Sequence, residues 1–343
     1  MPVTIRDVAA AAGVSPSTVS RTLRGSSSIS KKTQEKVLQI VHELGYEYTP
    51  STADKNEEAQ PLKVLGIVFP PAVSRTYENP FFLEIIRGIT QFTNQRHALA
   101  VTITGKDDQE TIEAIKDLNN QDFSCSFITL FSRKDDPIVK FLYTEGMDYV
   151  QIGHSGLHPR ETVCVDNDNI SAGYDAAKYL YRLGHRAIAF AEAQSDEIYS
   201  DSRRRGYQMF MNEHDLTKGA VISISTEQKD PESLSPLDQL LSLPKGERPT
   251  GIIVTDDIFA LEIAQSANRH KLRIPEDLSI ISFNNSLFSR SFSPAITSID
   301  VNPIQLGVEA ANQALNRLDN PLLSPSRTLI PYKIIERESC RSL

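Results

Sequence analysis

The stretch Gly13-Val14-Ser15-Pro16-Ser17-Thr18-Val19-Ser20-Arg21-Thr22-Leu23 combines short hydroxyl side chains with a guanidinium and holds no acidic residue. Projected on a helix at about 100° per residue, Val19 and Leu23 share one side, and Ser17, Ser20, Arg21 and Arg24 share the opposite arc. Short side chains let such a face enter a groove about 12 Å wide, where an arginine can fork onto guanine O6 and N7. The chemistry indicated is base reading in double-stranded DNA. A solvated face on a small helical bundle uses the same residue types, and this pattern alone leaves both readings open.

No constellation suggests catalysis. "GHSGL" lacks the G-x-S-x-G spacing of a nucleophile elbow. His154 and His158 are four apart, but they flank Gly156 and precede Pro159, so no helix aligns them on a metal. "TGKDD" (104–108) fails as a phosphate loop, because Ala100 stands where a glycine is needed and Asp107 where Ser or Thr is needed. The expectation is a protein that is not an enzyme, with no cofactor and no metal site.

Three short helices over residues 1–46 can hold the arginine in place. Thr4-Ile5-Arg6-Asp7 fits a capping box, and Ile5, Val8, Ala9 and Ala12 follow at helical spacing. Gly13 supplies a turn with positive φ. Ser15 is the cap of a second helix, with Pro16 at its first position, where the missing N–H costs nothing. Ser30 caps a third helix that places Val37, Ile40, Val41 and Leu44 on one face and stops at Gly45. Two helices joined by a tight glycine turn form a helix-turn-helix.

The charge distribution agrees. The net charge is −8, yet residues 1–50 carry six cations against four anions, which leaves +2 there and −10 in the remainder. Cys125, Cys164 and Cys340 are odd in number and widely spaced, so no disulfide framework or C-x-x-C motif is present. "MPVTIRDVAA" does not read as a secretory signal, and no run approaches the roughly 18 apolar residues of a membrane span. The expectation is a cytoplasmic protein without a membrane partner.

Residues 47–61, "EYTPSTADKNEEAQP", are polar and proline-bounded and read as a linker. From residue 62 to 343, β-rich runs alternate with amphipathic stretches. Strands are expected at 63–69, 99–104, 126–131, 149–152, 187–191, 221–225, 251–255 and 278–283, with helices at 81–96, 108–119, 170–183, 201–214 and 257–270. This predicts an α/β body of two lobes, each a parallel sheet covered by helices, behind a small all-α head. Ligands of such sheets sit beyond the carboxyl ends of the strands, which here means between the lobes.

The run "TIRDVAAAAGVSPSTVSRTL…ISKKTQEKVLQIVHELGY" resembles, almost position by position, the DNA-binding head of the lactose/galactose-repressor family of bacterial transcription regulators. That resemblance implies that Pro16, Ser17 and Arg21 read bases, and that Thr4, Ser15, Thr18, Ser20 and Ser30 touch phosphates or cap helices. It implies a homodimer on a palindromic operator. It also implies a linker that becomes a hinge helix with a leucine wedge; here Lys55, Asn56, Glu57 or Glu58 falls at the wedge position, so a flexible tether is an equal reading.

The body is similar, more loosely, to the two-lobed periplasmic-binding-protein-like core of that family. The resemblance implies three crossings between lobes, with the first lobe at about 62–164 plus 294–322 and the second at about 165–293 plus 323–340. It places Phe81 and Phe82 near the effector, although two phenylalanines opening a helix also suit a core. "DSRRRGYQMF" matches the family's Arg-x-x-Gly-aromatic pattern and singles out Arg203, whose guanidinium can fork onto two hydroxyls of a sugar. Asp166 and Asn167 fall at the crossing into the second lobe. Asp256 sits at a strand-to-helix junction, where capping is as good a duty as binding. Asn284 replaces the family's usual aspartate. The trio "NPFF…TGKD…VDNDN" is most similar to maltose-operon repressors of low-GC Gram-positive bacteria, which implies a repressor released from its operator by maltose or a short maltodextrin. Another sugar, a purine or a phosphocarrier-protein corepressor is the alternative within the family. A sugar-binding protein with impaired DNA binding is the alternative outside it.

Overall fold

A computed structural model of the chain describes residues 3–23, 31–46, 62–71, 79–193, 196–224 and 235–343. The chain divides into two compact units, Met1–Gln60 and Pro61–Leu343. In the first unit, helices α1 (Ile5–Ala12), α2 (Pro16–Leu23) and α3 (Lys31–Glu43) enclose Val8, Ala9, Ala12, Val19 and Val37. Leu44, expected on the apolar face of α3, is exposed. It lies past the last helical residue, and the chain turns at Gly45 (φ 63°) so that Tyr46 packs on the core instead.

The body holds two six-stranded sheets. The first contains β1 (Lys63–Val68), β2 (Leu99–Ile103), β3 (Ser124–Thr129), β4 (Tyr149–Ile152), β5 (Val163–Asp166) and, from late in the chain, β11 (Arg327–Leu329). Its order is β11-β5-β4-β3-β1-β2, parallel throughout. The second contains β6 (Ile188–Ala193), β7 (Ala220–Ile224), β8 (Gly251–Val254), β9 (Ser279–Phe283), β10 (Thr297–Asp300) and β12 (Lys333–Ile335). Its order is β12-β10-β9-β8-β6-β7, with β12 alone antiparallel.

Helices cover both faces of each sheet, which is why the central strands are apolar almost without interruption. On the first sheet, α4 (Pro80–Gln95) and α12 (Pro303–Asp319) bury Ile85, Ile89 and Leu306 against Leu65, Ile128 and Val150. On its other face, α5 (Asp108–Asn119) and α6 (Pro137–Thr144) bury Ile115 and Leu142 against Val68 and Phe127. On the second sheet, α7 (Asn169–Arg182) and α8 (Ile198–Glu213) cover one face, while α9 (Pro236–Leu241) and α10 (Asp257–Arg269) cover the other. Helix α11 (Leu287–Ser291) follows β9.

The chain passes between the sheets three times, but not where the lobe boundaries were expected. Residues 294–301, expected in the first lobe, include β10, which pairs with β9 (Thr297 opposite Ile281). Residues 323–330, expected in the second, include β11, which pairs with β5 (Arg327 opposite Cys164). Strand β5 itself runs to Asp166 in the first sheet. The cause is packing: Ile299 and Val301 fill the second-lobe core and Ile330 fills the first.

Candidate functional site

In the head, local bonds build the ends of both helices of the motif. The Thr4 main-chain N–H and hydroxyl both donate to the Asp7 carboxylate, at 2.8 and 2.6 Å, which holds Asp7 below its usual carboxylate range. Gly13 takes φ 66° after α1, and Ser15 Oγ accepts from the Thr18 N–H at 3.2 Å. The Ser15 and Thr18 hydroxyls lie 2.9 Å apart, and Pro16 opens α2 in an exposed position. Val19 is wholly buried, so the inward side of α2 is settled. Ser17, Ser20 and Arg21 are residues of this helix; their side chains lie outside the described part of the structure. So do Arg24, Ser30 and the linker at 47–61.

In the body, the effector candidates gather where each sheet reverses its winding. In the first sheet β1 lies between β2 and β3, and in the second β6 lies between β7 and β8. Helices leaving such neighbouring strands depart to opposite faces and open a crevice at the strand ends. The helix after β1 is capped by Asn79 and carries Phe81 in its first turn, the helix after β6 carries Arg203, the helix after β8 is capped by Asp256, and Asn284 follows β9.

Asp256 is the meeting point. Its carboxylate accepts from Ile258 N–H (3.0 Å) as the cap of α10, from Asn284 Nδ2 (2.7 Å), and from Asn79 Nδ2 (2.7 Å) across the two lobes. Capping and bridging are therefore the same act. Asn284 has φ 90°, a region that Asn enters more readily than most residues, and its amide supplies the donor that Asp256 needs. A carboxylate at 284 would face another carboxylate. Burial, with Asp257 adjacent, pushes the Asp256 pKa up to about 6; the Ile258 N–H, the Asn79 amide and Arg203 pull the other way.

Arg203 is 4% exposed, so it does not belong to a surface run of arginines. Its Nε donates to Asn169 Oδ1 (2.8 Å) and its Nη1 to the Thr255 carbonyl (2.7 Å), with the guanidinium 4.1 Å from the Phe283 ring centre. These two bonds engage Nε and Nη1. Close helix packing sets its position: a methyl group at Gly206 would overlap the Ile170 carbonyl oxygen, and one at Gly173 the carbonyl of Arg203 itself. By contrast, Arg204 pairs with Glu192 (2.6 Å) and with Asp201.

Two expected effector contacts are engaged elsewhere in the fold. Phe82 is buried in the first-lobe core beside Phe69, their ring centres 5.8 Å apart. Phe81, half-buried, packs against the cores of both lobes and is the aromatic that remains at the crevice. Asn167 sits at the first crossing, but its Nδ2 donates to the carbonyls of Val301 (3.0 Å) and Ile330 (2.8 Å) and is spent on the hinge. Asp166 accepts from Asn167 N–H (2.8 Å) and Asn169 Nδ2 (2.9 Å), one step behind Arg203. Asp166, Asn167 and Asn169 also line a pocket of about 480 Å³ with Lys134, His154 and Arg327.

Asn79 and Asn169 escape the sequence reading. Asn79 carries a local signal, an Asn before Pro at a helix start, but that predicts only a cap. Further interlobe bonds join Ile198 N–H to the Ser132 carbonyl (2.9 Å), Ser132 N–H to Glu197 (3.3 Å) and Lys134 to Asp201 (2.7 Å). None of these pairs has a sequence spacing that marks it.

The raised pKa of Asp256 has a measurable consequence. Between its ordinary value of 3.8 and about 6, the folded chain holds a proton that the unfolded chain releases. Stability from this group is full below about pH 4, falls as pH rises to about 6 and is flat above, a loss of about 3 kcal/mol. Asp256→Asn removes that slope. Urea unfolding of both proteins at pH 4.5 and pH 7 measures it, and parallel pH dependences would refute the assignment.

Residues 4–50 match the family description "Bacterial regulatory proteins, lacI family", and residues 177–340 match "Periplasmic binding protein-like domain". The chain is similar to the HTH-type transcriptional regulator MalR of Streptococcus pneumoniae, 32% identical over 341 residues that cover 98% of this chain and 100% of that protein. A crystal structure of a putative transcriptional regulator LacI from Bacillus cereus subsp. cytotoxis has a TM-score of 0.73 and 31% identity, covering 82% of this chain and 99% of its own. A probable maltose operon transcriptional repressor from Staphylococcus aureus has a TM-score of 0.72 and 24% identity, covering 82% and 98%.

Proposed function

Because this chain belongs to the lacI family of bacterial regulatory proteins and is a DNA-binding transcriptional repressor of that family, we propose that a small sugar, maltose or a short maltodextrin, releases it from a palindromic operator. Two chains pair, and each presents one helix-turn-helix to a half-site, since one small head makes too few contacts for tight specific binding. The observation that carries the sugar reading is the constellation at Asp256. Asn79 of one lobe and Asn284 of the other converge on its carboxylate, Arg203 stands beside it on the same sheet edge, and Phe81 is shared by both lobe cores.

These groups suit a neutral polyol. Carboxylate and amide oxygens accept from hydroxyls, while the amide and guanidinium N–H groups donate to them. An aromatic face covers the apolar face of a pyranose. A sugar that replaces the direct Asn79–Asp256 bond with bonds of its own binds different lobe arrangements unequally, which is the requirement for shifting operator affinity.

Fluorescence anisotropy of a labelled palindrome, titrated with maltose and separately with other sugars and with purines, tests the reading. Maltose should lower operator affinity at least tenfold, and purines should leave it unchanged. Release by a purine alone, or tightening by any ligand, would replace the sugar reading. The same assay across salt concentrations should give log K falling against log[salt] with a slope of about −5 if some six phosphates are neutralised. An impaired head would show no saturable binding at any salt concentration.

A further inference from the structure

Every crossing of a two-lobed protein is a potential hinge, and three independent hinges would let the lobes slide as well as close. In this chain the first crossing follows Asp166, the second follows Asp300 and the third follows Leu329. One buried side chain touches all three. Asn167 belongs to the first segment, and its single amide nitrogen donates to Val301 in the second (3.0 Å) and Ile330 in the third (2.8 Å). The Ile330 N–H returns a bond to the Asp166 carbonyl at 2.8 Å.

We infer that Asn167 is a positioning residue that makes the three crossings move as one hinge and ties that hinge to Arg203. The tie is continuous. Arg203 Nε donates to Asn169 Oδ1, Asn169 Nδ2 donates to Asp166 Oδ1, and that same oxygen accepts the main-chain N–H of Asn167. A ligand that draws on Arg203 therefore pulls on the residue that holds the hinge. The two-state element is the lobe pair itself, which both the ligand and the staple bias. The hinge half of the inference stands on these bonds alone, and the link to a ligand rests on the effector reading above.

Asn167→Asp keeps the shape and replaces the amide donor with a carboxylate, Asn167→Ser leaves one shorter hydroxyl that cannot serve both carbonyls, and Asn169→Ala cuts the tie to Arg203 while leaving the two carbonyl bonds. In full-length protein without ligand, hydrogen exchange should rise at least tenfold in segments 164–170, 299–303 and 328–332 together for both Asn167 variants. In Asn169→Ala the second and third segments should stay at the level of the unmodified protein. A rise confined to 164–170, or an Asn167→Asp variant that exchanges like the unmodified protein, overturns the staple.

In operator binding, Asn167→Asp should keep ligand-free affinity within threefold, while the maltose-induced weakening shrinks from tenfold or more to under threefold. Simple destabilisation lowers the active fraction in both states and does not change that ratio. A full maltose response in Asn167→Asp or Asn169→Ala overturns the tie. If the unmodified protein ignores maltose, the effector reading fails, and the exchange data still decide the hinge. Should Asn167→Ser not fold, the Asn167→Asp and Asn169→Ala comparison carries the test.

Discussion

Arg21→Ala should abolish operator preference and leave sugar affinity as it was. A guanidinium forked onto guanine contributes about 1–3 kcal/mol of discrimination per site, so losing one from each half of a palindrome costs about 2–6 kcal/mol. Operator affinity should therefore fall at least 30-fold, toward the level for unrelated DNA. The location supports this. Arg21 is the sixth residue of a helix whose start is held by Ser15 and Pro16 and whose inner side is anchored by the wholly buried Val19. Arg21→Lys retains the charge without the fork and should recover less than a tenth of the lost preference. Competition between operator and scrambled duplexes measures both variants. If Arg21→Ala weakened the two duplexes equally, Arg21 would be a phosphate contact, and base reading would have to come from its neighbours.

Arg203→Ala should do the converse. The variant should bind operator and fail to let go when maltose is added, with sugar affinity at least 100-fold lower by calorimetry. Removing the guanidinium leaves Asn169 Oδ1 and the Thr255 carbonyl buried without their donor and uncovers the Phe283 face. Each orphaned acceptor costs about 1–3 kcal/mol, so the body should also melt at lower temperature. Arg203→Lys separates the two effects. It keeps a cation over Phe283, restoring part of the stability, but one ammonium cannot reach Asn169, Thr255 and a ligand with the geometry of a planar fork. Its release defect should therefore persist after most of the melting defect is repaired. Maltose release by Arg203→Ala at the unmodified concentration would remove Arg203 from the site.

How far these residues could be found from sequence depends on the range of the interactions that hold them. The head was legible because its signals are local. Thr4 with Asp7 and Ser15 with Thr18 are bonds between residues three apart, and Gly13 and Pro16 act through their own backbone angles. The eight expected strands of the body are all present: six are short apolar runs covered on both faces, while β2 and β7 are edge strands that keep exposed positions. Strand β11 is an edge strand with little buried surface and helix α6 is short; neither carried a clear period. Leu44 looked like core because periodicity has no means of marking where a helix stops.

The sequence by itself determined what each segment wants: a capped, acid-free helix at 16–23, alternating strands and helices beyond 62, and one arginine placed three residues before a glycine at 206. The tertiary structure alone decided which of these groups meet. Asn79 reaches Asp256 across 177 positions, and Asn167 reaches Val301 and Ile330 across 134 and 163. Those meetings follow from strand order and from the side on which each helix leaves its sheet. A side chain's spacing reveals the face it occupies. The partner opposite that face is chosen by the packing of two sheets, and no local pattern records it.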